Sequence, residues 1–286
     1  LSRQWQRRAR FDPHVPRGGL GQFRGFRLEM QALAARAPFC ILTGDCANAP
    51  NIRAPEKAKS EFALFAEQAK GFPLPLFCTP GNHDAAGVQC LVGWDRKARE
   101  YGYGLYWATA GPTRWSFDYA GVHFVGVDWM RKAGADWTWG VSDQAVAWLR
   151  EDLRQVPKGT RILLFVHFPQ GPDEFDQLLR DHAVTHIFGG HVHVATTGKY
   201  AGVPYSLSGS LGQMLPGSGQ KVGYRFVRVD ADGVETFYKP ADQAAGVALD
   251  SPSPGAVVRW GEVVRGRFCD PLGRIKTVNV EFAGRA

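Results

Sequence analysis

Four stretches of the chain carry apolar runs, favour strand, and close on residues able to bind a metal. No other feature narrows the fold as much. They are Phe39–Thr43, ending at Gly44-Asp45; Leu74–Cys78, ending at Pro80-Gly81-Asn82-His83-Asp84; Arg161–Val166, ending at His167; and Thr185–Phe188, ending at Gly189-Gly190-His191-Val192-His193. A continuous apolar run, without polar alternation, suits a strand covered on both faces, as in a parallel sheet. Between the runs the apolar period changes to that of a helix: Phe26, Met30, Leu33 and Ala37 before Pro38, and Ala58, Phe62, Phe65, Ala66 and Ala69 within Pro55–Lys70. Val146, Leu149 and Leu153 follow a Ser142 cap, and Asp173–His182 reads as another helix. Strands that alternate with helices define an α/β chain.

Other stretches read as strands without helices between them. Trp115–Tyr119 and Val122–Val127 form a hairpin around Ala120-Gly121, with Asp118 and Asp128 as turn residues and His123 in the core. Beyond His193 the pattern is all-β: Thr196–Tyr200, Val203–Leu207, Tyr224–Val229 and Val234–Tyr238, with Gly209–Gly223 as a loop. Met130–Val141 is also read as a loop, and the Trp-rich stretch Trp129, Trp137 and Trp139 either packs a long loop or floors a substrate pocket. A Pro/Ser-rich shift at Asp250–Gly255 places a linker at 241–255, after a main domain of 1–240. The strand-like remainder, 256–286, is too short for a separate sandwich. It is either a packed tail or the front of a longer module.

At 286 residues and 44% hydrophobic content the chain can bury a full core. No run approaches the ~18 apolar residues of a membrane span. The chain opens at Leu1 with no signal-type apolar core behind it, so any targeting segment lies outside this sequence. The net charge of +7 is spread along the chain; it suits an anionic substrate and leaves nucleic acid open as a partner. Cys40, Cys46, Cys78, Cys90 and Cys269 show no C-x-x-C and no regular spacing, which argues against both a zinc ribbon and a disulfide framework.

The polar clusters carry the chemistry. In an extended chain His191 and His193 project to one side, although an H-x-H alone is more often a packed or solvated pair than a metal site. Their company changes the reading. Strand ends deliver, in order, Asp12 with His14, Asp45, Asn82 with His83, His167, and His191 with His193, and parallel strands of one sheet would bring these ends to a single edge. Carboxylates, imidazoles and one amide oxygen suit Mn, Fe or Zn better than Mg or Ca. The set is large enough for two ions sharing a carboxylate. Two ions roughly 3.5–4 Å apart activate water and clamp the oxygens of a phosphoryl group.

The order D-x-H, G-D, G-N-H-D, a later H, and G-H-x-H resembles the calcineurin-like metallophosphoesterase superfamily over roughly Asp12 to Pro240. The resemblance implies a four-layer αββα sandwich, two mixed sheets flanked by helices, with a partial β-rich extension at the C-terminus. It implies Asp12, His14 and His193 on one metal, Asn82, His167 and His191 on a second, and Asp45 bridging the two. The cofactors would be two divalent or mixed-valence ions of Mn, Fe or Zn. His83 would stabilise phosphoryl charge or protonate the leaving oxygen, with Asp84 orienting its ring, and His123, His182 and His186 would be structural. A histidine third in Asp12-Pro13-His14, and Cys46-Ala47-Asn48 in place of a tyrosine ligand, resemble the branch of cyclic-nucleotide and glycerophosphodiester phosphodiesterases. The implied activity is hydrolysis of a small phosphate ester, a diester before a monoester. Arg7, Arg8 and Arg10 stand where an apolar strand normally precedes the first motif, and Gly189 stands where Ser or Thr is common. The tail resembles the start of immunoglobulin-like modules on some secreted bacterial members, which points toward export to the periplasm or beyond. The rival reading is a catalytically silent module of this fold that binds nucleic acid or a protein. A repair-type nuclease is a third, but no charged groove for it can be located in the sequence.

Overall fold

The computed structural model describes residues 26–34, 37–89, 93–134, 136–241, 246–251 and 262–269. Asp12 and His14 lie outside the described residues. Two facing β layers carry the fold. The larger has six strands in the order β3-β4-β7-β8-β10-β9: β3 Trp115–Tyr119, β4 Val122–Gly126, β7 Arg161–Phe165, β8 His186–Gly189, β10 Val203–Leu207 and β9 Thr196–Tyr200. Its four inner strands run parallel, and β3 and β9 pair antiparallel at the two edges. The facing layer contains the parallel pair β1 Cys40–Leu42 and β2 Leu76–Cys78, and the antiparallel pair β11 Gly223–Asp230 and β12 Gly233–Pro240.

Alternation of side chains builds the layers from these strands. On β7, Leu163 and Phe165 point between the sheets, where they join Phe124, Phe188, Ile41, Phe77 and Val229. The intervening Ile162 and Leu164 point the other way, into a core with the helices α4 Asp143–Leu153 and α5 Asp173–Asp181. On the far side of the smaller layer, Leu42, Leu76 and Cys78 pack with Phe62 and Phe65 of α2, Pro55–Ala69, and with α3, Gly104–Thr109. There too, Phe26, Met30 and Leu33 of the helical segment 26–33, α1, pack on Leu74, Tyr224 and Phe226. The order is helix, sheet, sheet, helix: a four-layer αββα sandwich. β1, β2, β7 and β8 meet apolar side chains on both faces, which is why their runs show no polar alternation.

Three details differ from the sequence reading. Met130–Val141 is not an open loop: β5 Met130–Ala133 and β6 Asp136–Trp139 pair as a hairpin, with strand-favouring Trp137, Thr138 and Trp139 on β6 and Gly134 at positive φ (65°) after β5. Within the stretch assigned to a linker, Gly246–Ser251 is strand β13, paired with β14, Arg265–Cys269. Its Val247 and Leu249 alternate at the strand period, a signal masked by the prolines that follow. Asp118 and Asp128 are not turn residues. Asp118 sits in β3 and bonds His123 Nδ1 at 2.8 Å, while Asp128 is buried against Arg114 Nε at 3.1 Å, as an acid near the core requires. Among the described residues no helix is long and apolar enough to cross a membrane. Cys40, Cys46 and Cys78 are free thiols.

Candidate metal centre

Four lone-pair atoms from four strand ends meet at one point. His167 follows β7, His191 follows β8, Asp45 follows β1 and Asn82 follows β2. His167 Nε2 stands 3.2 Å from Asn82 Oδ1, 3.3 Å from Asp45 Oδ2 and 3.2 Å from His191 Nδ1, and His191 Nδ1 is 3.1 Å from Asn82 Oδ1. Asp45, His167 and His191 form a group whose ligand atoms lie within 4.8 Å of one another. The strand ends belong to two facing sheets rather than to one, so the single-sheet edge expected from the sequence is replaced by the common carboxyl edge of two layers. Packing of β1 and β2 across β7 and β8 aligns those edges.

The ligand loops approach closely because glycines let them. A Cβ at Gly44 would lie 2.3 Å from His167 Nδ1, and one at Gly81 would lie 2.2 Å from Asp45 Oδ1. Asp45, His191 and His193 themselves take left-handed backbone, at φ 54°, 70° and 53°. Such conformations in residues with side chains cost about 1–3 kcal/mol each and concentrate at functional sites. The same angles correct the expectation for His191 and His193: they do not project alike from an extended strand. β8 ends at Gly189, and a tight turn follows in which Val192 N donates to Gly190 O at 2.8 Å.

Hydrogen bonds fix which atoms face the centre. His167 Nδ1 lies 2.7 Å from the Thr43 carbonyl, to which it donates, and its Nε2 is therefore the atom turned to the other ligands. Burial would lower the His167 pKa, but the Asp45 carboxylate outweighs it and holds the value above the ordinary one. Burial likewise works against the Asp45 charge, yet the His167 imidazole overcomes it and keeps the carboxyl well below the usual carboxylate range. His191 is pushed down to about 4 by burial and then by His167, so its imidazole is neutral at pH 7, as a ligand must be. Burial also lowers His193.

One assigned role changes. Asp84 does not touch the His83 ring: its buried carboxylate accepts from the backbone N–H groups of Gly81 at 2.8 Å and of Cys46 and Ala47 at 3.2 Å each. Three backbone donors from two loops satisfy it more completely than one imidazole would, and Asp84 thereby ties the Asp45 loop to the Asn82 loop. Burial, then repulsion from Asp45, raises its pKa to about 7. His83 donates its backbone N–H to Asp45 Oδ1 at 3.0 Å and holds Nε2 4.0 Å from Asp45 Oδ2, with Nδ1 buried and without a hydrogen-bond partner among the described residues.

One support, Thr43, is not legible in the sequence, and another, Trp129, is legible only as packing a loop or flooring a pocket. Thr43 acts through a carbonyl, which any residue type could supply. Trp129 is fully buried, with its ring 4.6 Å from His191 and 5.4 Å from His167. Its place immediately after the Asp128 strand end was the available signal. The structure separates the three tryptophans: Trp129 lies inside, Trp137 packs edge-on to Tyr103 at 5.4 Å, and Trp139 is 48% exposed.

The donor set fits a transition-metal ion. His167 Nε2 lies 3.2–3.3 Å from a carboxylate oxygen, an amide oxygen and a second imidazole nitrogen, which brings lone pairs together that only a cation or shared protons can reconcile.

A family model described as calcineurin-like phosphoesterase matches residues 12–195. No curated protein matches the chain in sequence. Among solved structures, GAP50 of Plasmodium, described as the anchor in the inner membrane complex, superposes with a TM-score of 0.52 at 13% identity, over 89% of this chain and 84% of that one. The phosphopantetheinyl hydrolase PptH of Mycobacterium tuberculosis is 15% identical over 66% of this chain and 87% of its own, with a TM-score of 0.37. At such identities the likeness shows the fold alone, and the first of the two carries it.

Proposed function

Because this chain belongs to the calcineurin-like phosphoesterase family, we propose that it hydrolyses a small phosphate ester at two transition-metal ions (Mn, Fe or Zn), favouring diesters over monoesters. The observation that carries this is the convergence of Asp45, Asn82, His167 and His191 on one point. In this reading Asn82, His167 and His191 hold one ion, Asp45 is shared, and His193 with Asp12 and His14 holds the other. Ions bound there would polarise the phosphoryl oxygens and lower the pKa of water. The protein's part is positional. Thr43 fixes the His167 tautomer, and Asp84 fixes the spacing of the two carboxylate and amide loops. His83, with its Nε2 beside Asp45, is the group that would face the phosphoryl oxygens or protonate the leaving oxygen. The diester preference is supported by the histidine in Asp12-Pro13-His14 and by Cys46 after Gly44-Asp45.

The test is turnover of bis-p-nitrophenyl phosphate against p-nitrophenyl phosphate by Mn-loaded protein. Asp45→Asn is expected to lower kcat/KM by at least ~10²-fold, since loss of even an outer partner of a metal ligand costs roughly 10–100-fold. Turnover that survives this change overturns the site.

A second reading, a silent module that binds a protein or nucleic acid, draws support from one observation: the fold is shared with GAP50, described as an anchor. Elemental analysis finding no transition metal after reconstitution with Mn and Zn would favour it.

A further inference from the structure

Three exposed apolar residues lie on segments joined to three different histidines, His83, His193 and His191. Ile52 is 47% exposed, on a short 3-10 turn whose Asn51 N–H donates to the His83 carbonyl at 3.2 Å. Leu215 is 52% exposed, and its N–H donates to the His193 carbonyl at 3.1 Å. Trp139 lies with its ring 5.4 Å from His191, edge-on at 74°. Single exposed apolar residues are commonplace, and of the three only Trp139 has its side chain in contact with a histidine of the centre.

Trp139 is the rigid member of the three. Its indole stacks on the buried ring of Trp129 at 5.8 Å and 26°. The backbone beside it is fastened, since Gly140 N donates to Trp129 O at 2.8 Å, and β6 pairs residue by residue with β5. One face is thus packed and the ring is held, so a ligand laid on the accessible part meets a surface whose ordering cost is already met. A flat, fixed indole next to a metal-ligand imidazole suits a flat partner better than a chain.

We propose that Trp139 is a stacking platform for a planar aromatic group of the ester, so that the site selects aryl or nucleobase-bearing phosphoesters over aliphatic ones. The inference rests on the phosphoesterase reading and names the substrate class of that same site.

The test uses non-hydrolysable probes of matched size. Phenylphosphonate and cyclohexylphosphonate are titrated by calorimetry into the metal-loaded full chain, with the metal content of every variant measured. Phenylphosphonate is expected to bind about tenfold more tightly, within the range that aromatic stacking supplies. Trp139→Leu, which keeps bulk against Trp129 but lacks a flat face, is expected to bring the ratio near one, and Trp139→Phe to keep most of it. Equal binding of the two probes by the wild-type protein overturns the platform, whether or not a variant folds. So does a ratio that Trp139→Leu leaves unchanged, or failure of both probes to bind. Absence of ester turnover together with the expected probe ratio would sink the hydrolase reading and leave the aromatic subsite standing.

Discussion

Gly81 stands where no side chain fits. A Cβ there would meet Asp45 Oδ1 at 2.2 Å, the Asp45 backbone N at 2.6 Å and His167 Cε1 at 2.8 Å. Backbone cannot yield as the tip of a side chain can, so Gly81→Ala must push the Asp45 loop off the other ligands. A misplacement of about 1 Å at a reacting centre costs roughly 10²-fold in rate. The expected outcome is therefore a fall of that order in kcat/KM together with substoichiometric metal by elemental analysis. Full occupancy and turnover in this variant would show that the two loops are further apart than described. The glycine itself could be read from the sequence as part of G-N-H-D, but its reason could not, because the group it makes room for is 36 positions away. Asp84 teaches the converse: the family resemblance assigned it the His83 ring, and three backbone donors from two loops hold it instead.

Among the elements, α4 shows how local chemistry fixes a boundary. Ser142 Oγ accepts from Ala145 N at 3.0 Å, the N-cap expected from the sequence. Ser142→Ala is expected to cost about 1 kcal/mol, read as a fall in Tm of roughly 2–4 °C. An unchanged Tm would mean that the cap is satisfied by water alone. β1, β2, β7 and β8 were legible because burial on both faces writes itself as an apolar run, and α2 and α4 because their apolar residues recur at the helical interval. The hairpin β5–β6 and the six-residue α3 were not. Each is too short to complete a pattern, and each is held by tertiary contacts such as Tyr103 OH, which accepts from Met130 N at 3.1 Å. The centre's ligands were legible as types at strand ends. Their division between two layers was not, since sequence does not say which strands share a sheet.

At the scale of the molecule, two histidines outside the centre set opposing pH dependences. His123 is clamped between Asp118 and Asp152 at 2.8 and 2.9 Å; burial lowers its pKa, but the two carboxylates prevail and raise it. A raised value favours the charged form in the fold, so this contribution is complete below about pH 6.5 and is lost as pH climbs through the folded value. His186 is the reverse: burial and then Arg225 lower it to about 4. Its contribution is present above about pH 6.5 and is lost as pH falls toward 4. Thermal melts from pH 4 to 9 are expected to show a shallower acid slope in His186→Gln and a shallower alkaline slope in His123→Gln. Parallel curves for variant and wild type would remove either histidine from the account.

The centre draws Asp45 and Asn82 from one sheet and His167 and His191 from the other, and Thr43 O binds His167 Nδ1 across the same gap. A cation held there would act as a rivet through the seam of the sandwich. Slippage of one layer over its neighbour by even a fraction of a residue would prise the donors apart, so the alignment of the two halves and the grip on the ion are one property, and neither can loosen alone.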